Sequence, residues 1–459
     1  MTEIRPQYHD FYNLEKENER FMTESYIGGE LYKNKDNLFK YINENQIKYK
    51  DRLKRSFLIN FMQPIVSEIK DAIFAKELQR DCTKKELFAR FVQSATLAGD
   101  SLSDVMEDLA IYGCLYKVGV LVDGANFTEE FGTIEKSMRD RLRLFSSVKI
   151  ILPHQILDYC EDESGRLKWV LLDCSYIDKS AFGAKQTIKK YVLWDSMQFI
   201  TTTFTENEPH TEITEHNLGE VPFFFFKKKE LHRDPLAKSI FEDVAIMQRA
   251  IYNYLSLIDE DVYSSIIPML LVKIGGTPFN EEKKTGTGFS IEHNTFYYEE
   301  VPPQLLKPEF LDPDTIIRII DMITKEIYRK VGRYLDANNT YAQSGVAKDI
   351  DNKQRANALT NYARQLENAE NKILSLFAKW EGIDFTEYDQ SVYPEEFDVI
   401  SLASKIDDAL KMNSLFANSL TAQNAIKKDL IDSRFGNKLT VEEKKKIEEE
   451  LLNPSPDFT

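Results

Sequence analysis

The sequence predicts an α+β chain, mainly helical, and three observations carry that prediction. Apolar residues recur at helical spacing through much of the first hundred positions. Short β-branched and aromatic runs, bounded by Gly, Asp, Pro or Ser, follow from about Tyr116. The second half then returns to helix in long stripes, two of which open on the same Asp-Pro signal.

In the first part Leu53, Phe57, Phe61, Ile65, Ile69 and Ile73 form one stripe between Leu53 and Ala75, and Pro64 is expected to kink or break it. Lys117–Asp123, Val148–Leu152, Leu167–Asp173, Lys189–Trp194 and Met197–Phe204 read as strands. Turn residues join them, so an antiparallel meander is expected, with Val221–Phe226 as a further strand.

Asp234-Pro235 is a helix start, with Asp as N-cap and Pro at the first helical position. Behind it Ile240, Val244, Met247, Ile251, Tyr254, Ile258 and Val262 share one stripe until Pro268, roughly 45 Å of helix. A short insert carries strand-like pieces at Met269–Ile274, Gly288–Glu292 and Thr295–Val301. Asp312-Pro313 repeats the cap-plus-proline signal, and Ile316, Ile320, Ile323, Ile327 and Val331 line one side of the helix behind it. Two long helices therefore flank a small β-rich insert. The loop Leu335–Gly345, rich in Asn, Ala and Thr, leads to a third helix carrying Leu359, Tyr362, Leu366, Ile373, Phe377 and Trp380, stopped by Gly382. Phe385–Val399 contains Pro394 and has room for one strand, and the tail from Ser401 reads as helical with a charged end, Glu442–Glu450.

A length of 459 residues suits two or three domains or one elongated subunit. With 42% hydrophobic and 29% charged residues the composition is globular. A formal charge of −16 argues against gripping nucleic acid with a basic face, which takes a Lys/Arg surplus on the contact surface. Cys82, Cys114, Cys160 and Cys174 are widely spaced, as expected of reduced thiols in a cytoplasm rather than of a disulfide framework or a zinc site. No secretory signal is read at the start, and the longest apolar run, Ile266–Val272, is far short of the ~20 residues a membrane span needs.

Chemistry-bearing motifs are missing. The six histidines form no His-Glu-x-x-His pair, and no phosphate-cradling Gly-x-x-x-x-Gly-Lys or Gly-x-Ser-x-Gly elbow occurs. Gly286-Thr-Gly288 reads as a plain loop, and Asp349-x-Asp351-Asn352 as helix-capping acids rather than a calcium loop. The pairs Asp259/Asp261 and Glu299/Glu300 read as solvated acids before metal ligands. No cofactor, no metal and no catalytic residue is expected.

The order of helix, small insert, helix, loop and long helix resembles the portal proteins of tailed bacteriophages, and local motifs resemble the siphophage-type branch of that family. These are Tyr26-x-Gly28-Gly29-x-x-Tyr32 followed by Leu38, Tyr41 and Glu44, then Tyr49-x-x-Arg52-x-x-Arg55 with Asn60 and Ile65. Ala110-x-Tyr112-Gly113, Leu218-Gly219-x-Val221-Pro222 and Ser344-Gly345-Val346-Ala347-Lys348 come next, and the tail runs from Ala409-Leu410-Lys411 through Leu415 and Thr421 to Glu442-Glu443. The set spans nearly the whole chain in order. The clip insert is short and the tail compact, so contacts of larger relatives are not carried over.

The resemblance implies a wing at 1–233, a stem helix at 234–265, a clip at 266–311 and a second stem helix at 312–333. A tunnel loop at 334–344, a long wing helix with a following strand at 345–400 and a crown at 401–459 complete it. It further implies a dodecameric ring at one capsid vertex of the virion, passing double-stranded DNA without sequence specificity. The terminase motor, head-completion adaptors, and major capsid and scaffolding protein would be its partners, with no membrane involved.

Within that scheme Ile240, Val244, Met247, Ile251, Ile258, Ile316, Ile320, Ile323 and Ile327 are expected to pack the stem. Arg318, Lys325 and Arg329 lie opposite the isoleucine stripe and are candidates for a basic ring facing the DNA; an ordinary solvated face with intersubunit salt bridges is the other reading. Asn338, Asn339 and Tyr341 are candidates for DNA contact in the tunnel loop, against a surface loop with no DNA role. Other readings of the whole chain are an adaptor or minor capsid protein, or a metal-dependent nuclease using scattered acids.

Overall fold

The computed structural model describes residues 4–42, 44–76, 78–124, 146–179, 185–205, 208–227, 240–266, 269–273, 295–298, 304–306, 313–331, 345–394, 397 and 423–424. In chain order come helices α1 (Tyr12–Ile27), α2 (Gly29–Tyr32), α3 (Gln46–Arg55) and α4 (Met62–Phe74). A short strand β1 (Gln79–Arg80) precedes α5 (Glu86–Gln93) and α6 (Leu102–Leu115). The strands β2 (Val118–Asp123), β3 (Ser147–Ile151), β4 (Ile156–Glu161), β5 (Leu167–Asp173) and β6 (Tyr176–Asp178) follow. Next are β7 (Gln186–Trp194), β8 (Gln198–Thr205), β9 (Glu208–Glu215) and β10 (Phe223–Phe226). Then come α7 (Ile240–Ile266), β11 (Met269–Lys273), β12 (Thr295–Tyr298), β13 (Gln304–Leu306), α8 (Pro313–Val331), α9 (Gly345–Glu381) and β14 (Ser391–Val392). The chain is thus α+β, as the periodicities predict.

Two compact units divide it, and the division is not linear. One takes Met1–Ser67, Leu109–Leu121 and Lys149–Gly332; the other takes Glu68–Asp108, Val122–Val148 and Arg333–Thr459.

In the first unit β4, β5, β7, β8 and β9 form an antiparallel sheet in that order, with β6 added on β7. One face carries Ile156, Val170, Leu172, Val192, Trp194 and Phe199, all buried, because alternate residues of a strand share a face. On the other face Tyr12, Leu157 and Leu171 form a core cluster with Ile4, Trp169, Tyr191 and Leu193 around it. The expected single meander is corrected here. β2 pairs with β10 instead of entering the large sheet, and β4, β6 and β9 were not anticipated. β9 (EPHTEITE) is too polar to read as a strand, yet its glutamates and proline suit an exposed edge. Where β2 meets β10, Gly119 lies opposite Phe225, and a Cβ there would stand 2.2 Å from the Phe223 ring.

The stripe from Leu53 to Ala75 is also corrected. It is two helices, α3 and α4, separated at 56–61, and Pro64 sits in the first turn of α4, where a missing N–H leaves no bond unmade. Phe57 falls in the separating segment and is exposed, whereas Ile65, Ile69 and Ile73 are buried.

α7 and α8 run antiparallel, since Lys330 in the last turn of α8 reaches Asp243 in the first turn of α7 at 2.5 Å. Between them β12, β11 and β13 make a small sheet, with β12 parallel and β13 antiparallel to β11. The described part of α7 spans about 40 Å at 1.5 Å per residue. The Asp234-Pro235 start, the strand expected at Gly288–Glu292, the loop 334–344 with Asn338, Asn339 and Tyr341, and all of 401–459 except Gln423 and Asn424 lie outside the described residues.

The second unit is built on α9. Leu359, Tyr362, Leu366, Ile373 and Phe377 are buried, and the Phe91 ring stacks on Phe377 at 4.0 Å. Arg80 binds Glu370 through two bonds of 2.6 and 3.1 Å, and Ser391 and Tyr393 donate to the same carboxylate. Gly382, at φ +66°, ends the helix, and the next amide, Ile383 N, donates back to Ala378 O. Asp349, Asp351 and Asn352 lie beyond the first turn of α9, so the expectation that they cap the helix is corrected.

Gly119→Ala is expected to cost about 1–3 kcal/mol through overpacking. Phe223→Leu in the same chain is expected to recover part of that loss; urea denaturation of the wild type and the two variants measures both.

Candidate functional site

The motif residues of the N-terminal segment converge on one side of α7. Gly28 has φ +67°, and a Cβ on it would lie 2.9 Å from the Asn60 amide nitrogen, so glycine is required twice over. That amide donates to Tyr26 O at 2.8 Å. Tyr32, Leu38 and Tyr49 then close a core cluster with Tyr252 of α7. Tyr49 donates to Leu38 O, and Ser56 and Tyr252 share a hydrogen bond of 2.6 Å.

Arg52 is at the centre, and its side chain is 0% exposed. Its guanidinium forks onto both Glu44 oxygens at 2.8 Å, donates to Phe39 O at 2.7 Å and reaches Ser256 Oγ of α7 at 2.8 Å. The Tyr41 ring lies 4.1 Å from it. Burial alone would raise the Glu44 carboxyl, but the hydrogen bonds from Arg52 and the Tyr41 amide, with the charges of Arg52 and Lys40, together outweigh it and hold the group below the usual carboxylate range. Burial likewise opposes the charge on Arg52, and Glu44 restores it. Further along, Arg55 binds Asp259 at 3.1 Å and also Glu260. Two of the acids in the Asp259-Glu260-Asp261 cluster therefore serve an ion pair. Among the described residues no three His, Cys, Asp or Glu side chains stand close enough to share a metal ion.

Sequence reasoning missed the α7 side of this contact. Gln248 accepts from the Phe61 and Met62 amides and donates to Ser25 O. Asn253 accepts from Phe39 N and donates to Asn37 O. Polar residues recurring at Gln248, Tyr252 and Ser256 inside an apolar helix were the available signal, since a spacing of four puts them on one face.

The stripe predicted for α7 occupies a second face. Val244 and Ile251 are buried, while Met247 and Ile258 are partly so. Val262 is corrected: it is 56% exposed, near the end of the helix. On α8, Ile316, Ile327 and Val331 are buried and Ile320 and Ile323 partly so. For Ile240 only the backbone is described.

Opposite that face, at about 100° per residue, Arg318, Met322, Lys325 and Arg329 form a stripe about 16 Å long. All four are exposed, with Asp321 and Glu326 beside them around a shallow cleft. Glu326 grips Arg329 through bonds of 2.7 and 2.6 Å, which lowers the proton affinity of the carboxyl and raises that of the guanidinium. Three cations against two anions leave a weak positive surplus. No helix among the described residues is long and apolar enough to cross a membrane.

No protein-family model matches the chain, and no curated protein matches it. Among solved structures it is similar to a chain of the virion of a native gene transfer agent particle, at 12% identity and a TM-score of 0.39, covering 98% of this chain and 96% of that one. It is also similar to a chain from the neck of an empty gene transfer agent particle, at 11% identity and a TM-score of 0.37, covering 92% and 99%. At scores this low the likeness carries no functional weight, and the reading below rests on the chain's own residues.

Arg52→Ala leaves the buried Glu44 carboxylate without its partner and is expected to cost about 3–5 kcal/mol. Arg52→Met with Glu44→Leu removes both charges and is expected to cost less than Arg52→Ala alone, because no buried charge is stranded. Urea denaturation followed by circular dichroism measures the difference.

Proposed function

We propose that this chain is a portal protein of a tailed phage, a virion subunit that forms a ring through which DNA is packaged and ejected. The observation that carries the reading is the order α7, small β-sheet, antiparallel α8, then the 37-residue α9. It corresponds to stem, clip, stem and wing helix in the family that the motifs resemble. The clustering of Tyr26, Gly28, Tyr32, Leu38, Tyr41, Glu44, Tyr49, Arg52, Arg55 and Asn60 supports it, because scattered sequence matches then have one physical purpose: docking α7.

A conduit must hold DNA without gripping it, since each phosphate contact that displaces counterions raises the barrier to sliding. Between Asp234 and Lys330 acidic residues outnumber basic ones, which repels the polyanion. The Arg318–Lys325–Arg329 stripe supplies a weak, screened attraction that centres the duplex. The clamp of Glu326 on Arg329 weakens that attraction further. Twelve subunits, the terminase motor, head-completion adaptors and capsid and scaffolding contacts belong to this reading through the family alone.

One observation favours another use of the stripe. Met322 is 63% exposed between the cations, and Ile317 and Tyr328 are exposed on its flank, as suits a face covered by a neighbouring subunit.

Native mass spectrometry of the purified chain, alone and with scaffolding protein, followed by electron microscopy, is expected to give closed rings near twelve subunits with a duplex-wide hole. A stable dimer under both conditions would overturn the portal reading. In assembled rings, Arg318→Ala, Lys325→Ala and Arg329→Ala together are expected to leave ring formation intact and change DNA packaging or retention. Loss of rings moves the stripe to the subunit interface.

A further inference from the structure

His9 lies in the non-helical segment ahead of α1, and its side chain is 8% exposed. The segment is held to the large sheet by His9 N, which donates to Leu157 O at 2.9 Å, and by Ile4, packed on the Tyr12–Leu157–Leu171 cluster. Yet neither ring nitrogen of His9 makes a hydrogen bond, and Glu15 Oε2 beside it makes none either. His9 Nε2 and Glu15 Oε2 are 3.8 Å apart. A buried imidazole with two unmet nitrogens has no structural reason to be a histidine, since an apolar ring would fill the space at lower cost.

We infer that the segment Ile4–Phe11 is a strap whose docking on β4 is controlled by the charge of His9: neutral His9 holds it down, and protonated His9 releases it. Burial of the ring, against the pull of the carboxylates around it, sets the direction. From α1 comes Glu15, but its other oxygen is bound by Lys117, the residue ahead of β2, at 2.6 Å. Lys117 therefore offsets part of the pull of Glu15 on an imidazolium, and burial of the ring outweighs what is left. From β4 come Asp158 and the Tyr159 ring at 5.3 Å, and from the strap and α1 come Asp10 and the Tyr12 ring at 5.9 Å. Asp10 is exposed and Asp158 only partly covered, so water screens both. Burial is the largest influence, and with Lys117 it lowers the proton affinity of His9 despite the three carboxylates.

The sign follows from the lowered value. Docking is fully stable above the ordinary histidine range and is lost as pH falls through the folded value. Release takes Ile4 off the cluster of Leu157 and Leu171, which Tyr12 of α1 still covers. The inference does not depend on the portal reading, because it concerns the strap and the sheet within one chain.

Hydrogen exchange of the full chain, read by mass spectrometry at about pH 7.5 and about pH 5.5, tests it across the range where histidine titrates. After correction for intrinsic rates, peptides covering Ile4–Phe11 are expected to exchange severalfold faster at the lower pH. In His9→Gln the protection is expected to persist at both. Equal protection of the wild-type strap at both pH values overturns the inference, and so does the same acid release in His9→Gln. Should His9→Gln fail to fold, exchange at the imidazole C2 carbon of wild-type His9 decides: half-titration below the ordinary value of about 6.5 supports the latch, and one at or above it overturns the latch.

Discussion

A guanidinium taken wholly out of water must have its donors met inside the protein, and Arg52 imposes that condition on its whole neighbourhood. Glu44 has to lie at fork distance, so it must sit against α3 beside Arg52. Phe39 O has to face inward, which places Phe39 N against Asn253. Ser256 has to sit at the same height on α7, which sets the helix's register against the N-terminal block. Loss of Glu44 strands a buried charge, and loss of either neutral acceptor leaves a buried N–H unmet, so the four are satisfied together. Such an arrangement is intolerant of sliding, and it fixes the height of α7 against the N-terminal block.

With one face committed to that block, α7 has a second face for α8. The two helices share the stripe Val244–Ile258, and the Lys330–Asp243 pair closes the end away from the small sheet. α8 is then buried along Ile316, Ile327 and Val331, which turns its cations outward by geometry alone. The outward stripe is poor in net charge because Asp321 and Glu326 interrupt it.

Much of this was legible in the residues. The start at Pro313, stripes of period 3.6 and the stop at Gly382 announce long helices, because backbone hydrogen bonding and helix geometry act over a few neighbours. Pro64 was misjudged because proline ends one helix and starts another with equal ease, and only the position of the preceding break distinguishes them. β9 was missed because an edge strand needs backbone partners rather than apolar side chains. The motif residues were visible as a list, but their common purpose was not, since Gly28 and Asn60, or Arg52 and Ser256, are remote in sequence.

By itself, then, the sequence determined the α+β class, the two struts around a small insert, the long helix after them and the acidic balance, all set by local periodicity and composition. Only the tertiary structure decided that α7 carries two working faces, that β2 pairs with β10, that Val262 is left in water and that the buried His9 ring makes no hydrogen bond. Each of these depends on which distant segments close on one another. Local propensity carries no record of that closure, because burial and long-range hydrogen bonds are properties of the assembled chain.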